Sequence, residues 1–286
     1  MILYSLHLPT PSSSPHSHSH SHSHSPNPIP YRHPNTNGYI KFRTTYRENL
    51  RYLTTLTLIH PKTQPNNLPL PDAVDHILAT VSFLKSHSFS DADIPRLARH
   101  FPHLFSTSFD PADIAPVFRF LSGDLLATAE ESRGLILRCP NLLFSDVNLC
   151  LRPTLQFLRE VGVCGLNRPT NRNAHLLNTR VGKLRVKVRF LEEDVGLSYE
   201  EAVNVCARLP AIFGYDVENN LWPKFAFLVE EMERDLEELK KFPQYFGFSL
   251  EKRIVPRHFH LKERGVRIPL NRMLMWGDGK FYAKWK

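Results

Sequence analysis

Residues 221–232 read LWPKFAFLVEEM, and this stretch shows the pattern that sets the fold of the chain. Its large apolar residues recur at intervals of four, three and four positions: Leu221, Phe225, Leu228 and Met232. Such intervals place side chains on one face of an α-helix. Pro223 lies near the start of the stretch, where a helix tolerates proline because the first backbone N–H groups have no intrahelical partner. The stretch therefore predicts a helix that begins near Pro223 and buries one face.

The Phe-Leu pair within this stretch recurs along the chain. The pairs are Phe83-Leu84, Phe120-Leu121, Phe157-Leu158, Phe190-Leu191 and Phe227-Leu228, followed by His260-Leu261. Successive pairs are separated by 37, 37, 33, 37 and 33 residues. A proline followed by bulky apolar residues precedes four of the pairs by 17 or 18 residues, at Pro102, Pro140, Pro210 and Pro243. Two motifs in constant phase at such a period indicate a solenoid of helical repeats.

Each repeat unit is expected to contain three helices. The first helix runs through the pair and begins at a proline four residues before it, at Pro116, Pro153, Pro223 or Pro256. The second helix begins at a capping-box pattern such as Ser198-x-x-Glu201 and ends before the anchor proline, after which a short third helix follows. The unit before Phe190 has Asn173 where this proline is expected, so we predict an irregular unit there. The class is predicted to be all-α, with about six units.

These motifs resemble those of the mitochondrial transcription termination factor (mTERF) family, in its plant, plastid-targeted branch. The ending is part of the resemblance, which covers roughly residues 72–286: Met273-Leu274-Met275-Trp276 and Lys280-Phe281-Tyr282-Ala283-Lys284-Trp285. The resemblance implies a superhelical solenoid of three-helix units with a positively charged groove that binds double-stranded DNA or, in some plant members, RNA. It also implies a role in transcription termination and in the processing or accumulation of plastid transcripts, and no shared catalytic site.

The N-terminal sequence differs in composition from the repeats. No Asp or Glu occurs before Glu48, and five histidines alternate with serines between His16 and His24. Such an acid-free, hydroxyl-rich segment is typical of a transit peptide, and the absence of Arg before Arg32 favours the chloroplast over the mitochondrion. We predict a disordered transit segment over residues 1–60, a proline-rich linker over 61–71 and the folded repeat domain over 72–286. A disordered tail without a targeting role is the alternative.

The sequence contains no pattern of an enzyme, metal site or membrane protein. Its four cysteines form no C-x-x-C pair, and no Gly-rich phosphate loop or HExxH motif occurs. Charged residues or prolines interrupt every apolar run before it reaches the length that spans a bilayer. We therefore predict a protein that is not an enzyme, without a metal, a cofactor or a membrane partner.

Positive charge is concentrated in two blocks of the chain, whose net charge is +8. Residues 152–189 carry nine basic groups and one acidic group, and residues 252–286 carry ten and two. The intervening residues 190–251 carry five basic and fourteen acidic groups. Basic blocks suit phosphate contacts, although solvated helix faces show the same composition. The predicted nucleic-acid-binding residues are Arg180, Lys183, Arg185, Lys187, Arg189, Arg253, Arg257, Lys262 and Arg264.

Two periodicities compete within Val181–Val195. Basic and apolar residues alternate strictly from Lys183 to Phe190, as in a strand, but Val181, Leu184, Val188, Leu191 and Val195 form a longer helical stripe. We favour the helix, in which Arg180, Lys183 and Lys187 form one basic row while Arg185 and Arg189 form another. We expect the first row to contact phosphates.

Three functions remain open at this point. The first is a plastid nucleic-acid-binding factor acting on double-stranded DNA in transcription termination and in transcript processing or accumulation. The second is an RNA-binding factor in splicing or ribosomal RNA maturation. The third is a protein-binding solenoid, which the acidic residues 190–251 favour. Plastid transcription or RNA-processing proteins are further predicted partners.

Overall fold

A computed structural model describes residues 46–60 and 62–286, and these residues belong to one compact unit. Regular structure in this part of the chain is helical, with no strand. The α-helices are α1 (Tyr46–Thr55), α2 (Pro71–Ser86), α3 (Ile94–His100), α4 (Ala115–Arg119), α5 (Ala129–Arg138), α6 (Arg152–Glu160), α7 (Asn171–Leu177), α8 (Val181–Arg189), α9 (Tyr199–Arg208), α10 (Trp222–Ala226), α11 (Leu236–Lys241), α12 (Val255–Lys262), α13 (Leu270–Met275) and α14 (Asp278–Lys284). No helix among these is both long and apolar enough to cross a membrane.

Shorter helical segments connect and extend these helices. The 3₁₀ segments are Pro65–Asn67, Pro102–Phe105, Pro111–Asp113, Pro140–Phe144, Pro210–Gly214 and Pro243–Gly247. The π-helical segments are Phe120–Asp124, Val147–Leu151, Phe190–Asp194, Val217–Leu221, Phe227–Glu231 and Leu250–Ile254. The anchor prolines Pro102, Pro140, Pro210 and Pro243 begin four of the 3₁₀ segments, which are the predicted third helices of the repeat units. The predicted all-α repeat fold is therefore confirmed.

The leucine of each Phe-Leu or His-Leu pair forms the centre of the core. Leu84, Leu121, Leu158, Leu191 and Leu228 have no exposed surface, and Leu261 is 3% exposed. Burying one leucine side chain contributes about 1.5–3 kcal/mol. Because the same position is buried in every unit, the first helices of successive units all direct one face into a continuous core.

The first helices begin farther upstream than their prolines suggest. Before Pro153 lies a π-helical turn in which the amide of Leu151 donates to the carbonyl of Asp146, and Leu221 and Ile254 donate in the same way before Pro223 and Pro256. Proline lacks an N–H, and its ring collides with the carbonyl four residues earlier in a regular α-helix. A wider turn removes this conflict, so the prolines lie inside longer helices rather than at their first residue.

The second helices begin as the sequence predicts. Ser198 and Glu201 form a reciprocal capping box at the start of α9, as Thr128 and Glu131 do at α5. Each box satisfies two backbone N–H groups that otherwise have no partner. These caps fix the residues at which α5 and α9 start, whereas α3 and α11 begin without a capping box.

The predicted irregular unit contains one helix in place of two. Thr170 caps α7, and Asn173 is buried, with its amide donating to the carbonyls of Gly165 and Arg168 at 2.8 and 3.0 Å. A turn and α7 thus replace the second and third helices of the other units. Asn173 stabilises this turn, which explains a polar residue at the position of the anchor proline.

The structure corrects the predicted start of the folded part. Helix α1 lies within the segment predicted to be disordered, and Leu53, Leu56 and Ile59 are buried in the core. The hydroxyl of Tyr46 donates to the carbonyl of Pro69 at 2.7 Å. A helix of ten residues is marginal alone and depends on packing against a partner, which composition does not reveal. The prediction for residues 1–45 lies outside the described residues.

Residues with a positive φ, in the left-handed region, end the first helices, and Gly196 is the clearest example. Gly196 has a φ of +82°, and Leu126 and Glu233 adopt φ values of 59° and 50° at the equivalent position of their units. A Cβ atom added at Gly196 would have no other atom within 4 Å. Gly196→Ala should therefore lower the free energy of unfolding by about 1 kcal/mol through backbone strain alone. Gly214→Ala is the matched control, because Gly214 has equal space and no positive φ. Urea denaturation of both variants measures this difference, and equal stabilities would contradict it.

Candidate nucleic-acid interface

Helix α8 contains the most closely spaced basic residues of the chain. This segment forms the predicted helix and not the alternative strand. Leu184 and Val188 are buried, whereas Gly182 and Val186 are exposed on the opposite side. This arrangement leaves two flanks, one on each side of the buried stripe. We call the side of the helix with Lys183 and Lys187 the lysine flank. We call the side with Arg185 and Arg189 the arginine flank.

The cations of α8 lack carboxylate partners. Arg180, Lys183, Arg185 and Arg189 are exposed and Lys187 is half-buried. Within the described part of the chain, no carboxylate lies within 4 Å of any of the five. Unpaired cations on one short helix produce a positive potential that attracts polyanions.

The arginine flank faces α6 across a groove of about 300 Å³, which we call the α6–α8 groove. Its lining residues are Phe157, Glu160, Arg185, Val188, Arg189, Glu192 and Tyr199. The guanidinium of Arg185 lies 5.7 Å from the centre of the Phe157 ring, within the range of a cation–π contact. Sequence reasoning missed Tyr199 as an exposed residue of this groove and Phe157 as part of its lining. For Tyr199 the available signal was a large aromatic residue outside the apolar stripe of α9.

One position on the lysine flank has a recurring role. Three residues before the pair, Thr154 donates through its hydroxyl to the carbonyl of Thr179 at 2.7 Å. At the equivalent place Lys224 donates to the carbonyl of Phe246, also at 2.7 Å. Burial lowers the pKa of Lys224, which is 5% exposed. Each bond satisfies a carbonyl near the end of the same unit, so this position, which we call the linking position, connects the first helix of a unit to its last segment.

Lys187 occupies this linking position in α8. The backbone N–H of Asn219 lowers the pKa of Asp216, and the charge of Lys187 acts in the same direction. Asp216 precedes the first helix of the following unit. Lys187 is half-buried and is therefore less accessible than the exposed Lys183, although the sequence placed both in one row.

The structure contradicts the assignment of Arg257 to the nucleic-acid interface. Arg257 has no exposed surface, because it occupies the same linking position in α12. Its guanidinium donates to the carbonyls of Met273 and Trp276 at 2.5 and 2.7 Å and to a carboxylate oxygen of Asp278 at 2.5 Å. The hydrogen bond from Arg257 lowers the pKa of Asp278. Arg257 thus holds the C-terminal helices in place.

The other predicted residues of the second basic block differ in accessibility. Arg253 is half-buried and donates to the carbonyl of Leu274 at 3.3 Å, with Asp278 at 3.8 Å. Lys262 and Arg264 are exposed, but Arg264, just after α12, donates to the carbonyl of His260 in that helix. Much of the charge in this block therefore stabilises the C-terminal helices, and α8 is the stronger candidate interface.

This fold and surface define a helical-repeat protein with a basic helix. In the described part of the chain, the cations of this helix have no carboxylate within 4 Å. The mTERF family model matches residues 127–282, more than half of the chain, and the chain belongs to the mTERF family.

Three relatives are transcription termination factors from Arabidopsis thaliana, all named as chloroplastic. MTERF2 is 36% identical over 107 residues, covering 37% of this chain and 16% of the relative. MTERF8 is 29% identical over 218 residues, covering 73% and 41%, and MTERF5 is 30% identical over 125 residues, covering 43% and 25%. The chain thus spans less than half the length of each relative. These similarities confirm the predicted family, its plant chloroplast branch and the chloroplast location.

The contrast between Arg257 and Arg264 can be measured as a difference in stability. Arg257→Met leaves the carbonyls of Met273 and Trp276 without their donors, so we expect the free energy of unfolding to fall by about 3 kcal/mol. Arg264→Met removes an equal charge from an exposed position and should change stability by less than about 0.5 kcal/mol. Urea denaturation compares the two variants. A similar loss in both would show that burial does not distinguish these arginines.

Proposed function

We propose that this protein is a chloroplast nucleic-acid-binding factor that acts in transcription termination and in the processing or accumulation of plastid transcripts. The observation that carries the proposal is the set of cations on α8 and at Arg180, which are mostly exposed and lack carboxylate partners in the described part of the chain. The names of the relatives, all chloroplastic transcription termination factors, support the same role.

Phosphate contact is the physical basis of this proposal. Lys and Arg side chains that neutralise phosphates release counterions, and this release makes affinity depend on salt. Arg180 and Lys183 are exposed at the start of α8 and on its lysine flank, where their charges are free to meet a phosphate backbone. Double-stranded DNA is the predicted target and RNA the alternative, since this contact serves both.

The salt dependence of binding tests the role of α8. Arg180→Gln with Lys183→Gln should reduce the slope of log affinity against log salt by about one to two units for duplex DNA, because each lost phosphate contact removes roughly 0.9 units. Filter binding of the full chain to duplex DNA and to single-stranded RNA measures the slope. Arg96→Gln with Arg99→Gln is the matched control, since these exposed arginines are also without a carboxylate within 4 Å among the described residues.

An unchanged slope in the α8 variant, or an equal reduction in the control, would show that α8 is a solvated helix face. Binding by the wild-type chain that is absent or insensitive to salt would refute the nucleic-acid function and favour the protein-binding solenoid. Circular dichroism of both variants establishes that the fold is retained.

We also propose that residues 1–45 carry the chloroplast import signal, since α1 belongs to the folded part and the preceding sequence contains no Asp or Glu. A fluorescent reporter fused to residues 1–45 should enter chloroplasts. Ser12→Glu, Ser13→Glu and Ser14→Glu introduce acidic residues and should reduce import in the same fusion. Cytosolic fluorescence of the unmodified fusion would show that the signal lies elsewhere.

A further inference from the structure

The α6–α8 groove contains an aromatic ring that the core does not use. Tyr199 is 57% exposed, although it is the first residue of α9 and directly follows the capping box of Ser198. The helix start therefore holds its backbone firmly while the ring remains at the surface. Phe157 lies at the base of the same groove and is 7% exposed. Aromatic residues of two neighbouring units thus line the groove, and of these two Tyr199 is the exposed one.

The charges of the groove balance, unlike those around Arg180 and Lys183. Arg185 and Arg189 face Glu160 and Glu192, and no pair among these four lies within 4 Å in the described structure. Glu160 also accepts a hydrogen bond from the amide of Gln156 at 2.9 Å. Balanced charge makes a poor phosphate site. Hydrogen-bond donors and acceptors beside aromatic rings instead suit the edge and face of a nucleobase.

Two surfaces with different chemistry therefore flank α8. Arg180 and Lys183 suit phosphates, and the groove on the arginine flank suits a base. Between them lie Gly182 and Val186, both exposed, so no long side chain stands on the outer surface of the helix. A nucleic-acid strand that crosses α8 at this point would place its backbone on one side and a base on the other.

We propose that the α6–α8 groove holds an unpaired nucleobase stacked on Tyr199, so that this surface binds single-stranded nucleic acid. The proposal rests on the nucleic-acid function proposed above and specifies its ligand. A base within a duplex has its faces covered by neighbouring base pairs, whereas unpaired bases stack on aromatic side chains. The volume of about 300 Å³ lies at the lower end of the range for small-ligand sites, as one base requires.

Substitution of Tyr199 separates stacking from charge. In the full chain, Tyr199→Leu should weaken binding to a labelled oligouridylate by roughly tenfold, because stacking on an aromatic ring contributes a comparable factor per base. The salt slope should stay unchanged, since the ring carries no charge. Tyr199→Phe keeps the ring and should bind within about twofold of wild type. Trp222→Leu is the control for loss of an exposed aromatic outside the groove, and should have no effect.

Duplex DNA supplies the second arm of this experiment. Tyr199→Leu should leave duplex affinity unchanged. The proposal is overturned if Tyr199→Leu binds oligouridylate as wild type does, if it weakens duplex and single-strand binding equally, or if Trp222→Leu has the same effect. These outcomes leave the nucleic-acid function standing when Arg180→Gln with Lys183→Gln still lowers the salt slope. A wild-type chain without salt-sensitive binding to either probe overturns both proposals.

Discussion

Each first helix buries a leucine at one fixed position, and the arrangement of the remaining surface follows from that constraint. In α8 the buried stripe that ends at Leu191 leaves two flanks and an outer edge for all other side chains. Its cations cannot enter the core without losing hydration, so they lie on the flanks. The arginine flank then faces α6 of the preceding unit, and the lysine flank lies on the other side of the helix. The packing of an apolar residue thereby decides which charges face which neighbour.

A second constraint holds individual units together. The buried position three residues before the pair holds Thr154, Lys224 or Arg257 in three units, and each donates a hydrogen bond to a carbonyl later in the same unit. The donors differ in length and charge, but all three satisfy backbone groups that a buried helix end would leave without partners.

Periodicity and capping patterns predict most of the fold, since the Phe-Leu pairs, anchor prolines and Ser198-Glu201 box encode local structure. The burial of Arg257 could not be predicted, because an arginine in a basic block has the same composition whether it meets water or a carbonyl. Helix α1 escaped prediction for a related reason: its stability comes from packing against α2. In α8 the sequence correctly predicts a helix. It could not separate the half-buried Lys187 from the accessible Lys183.

The guanidinium of Arg257 has a mechanical consequence. It binds the carbonyls that end α13 and the carboxylate of Asp278 at the start of α14, so one side chain fastens both terminal helices to α12. In a repeat protein, each unit is held mainly by contacts with its neighbours. A force that pulls α14 away from α12 must therefore rupture this cluster of hydrogen bonds first.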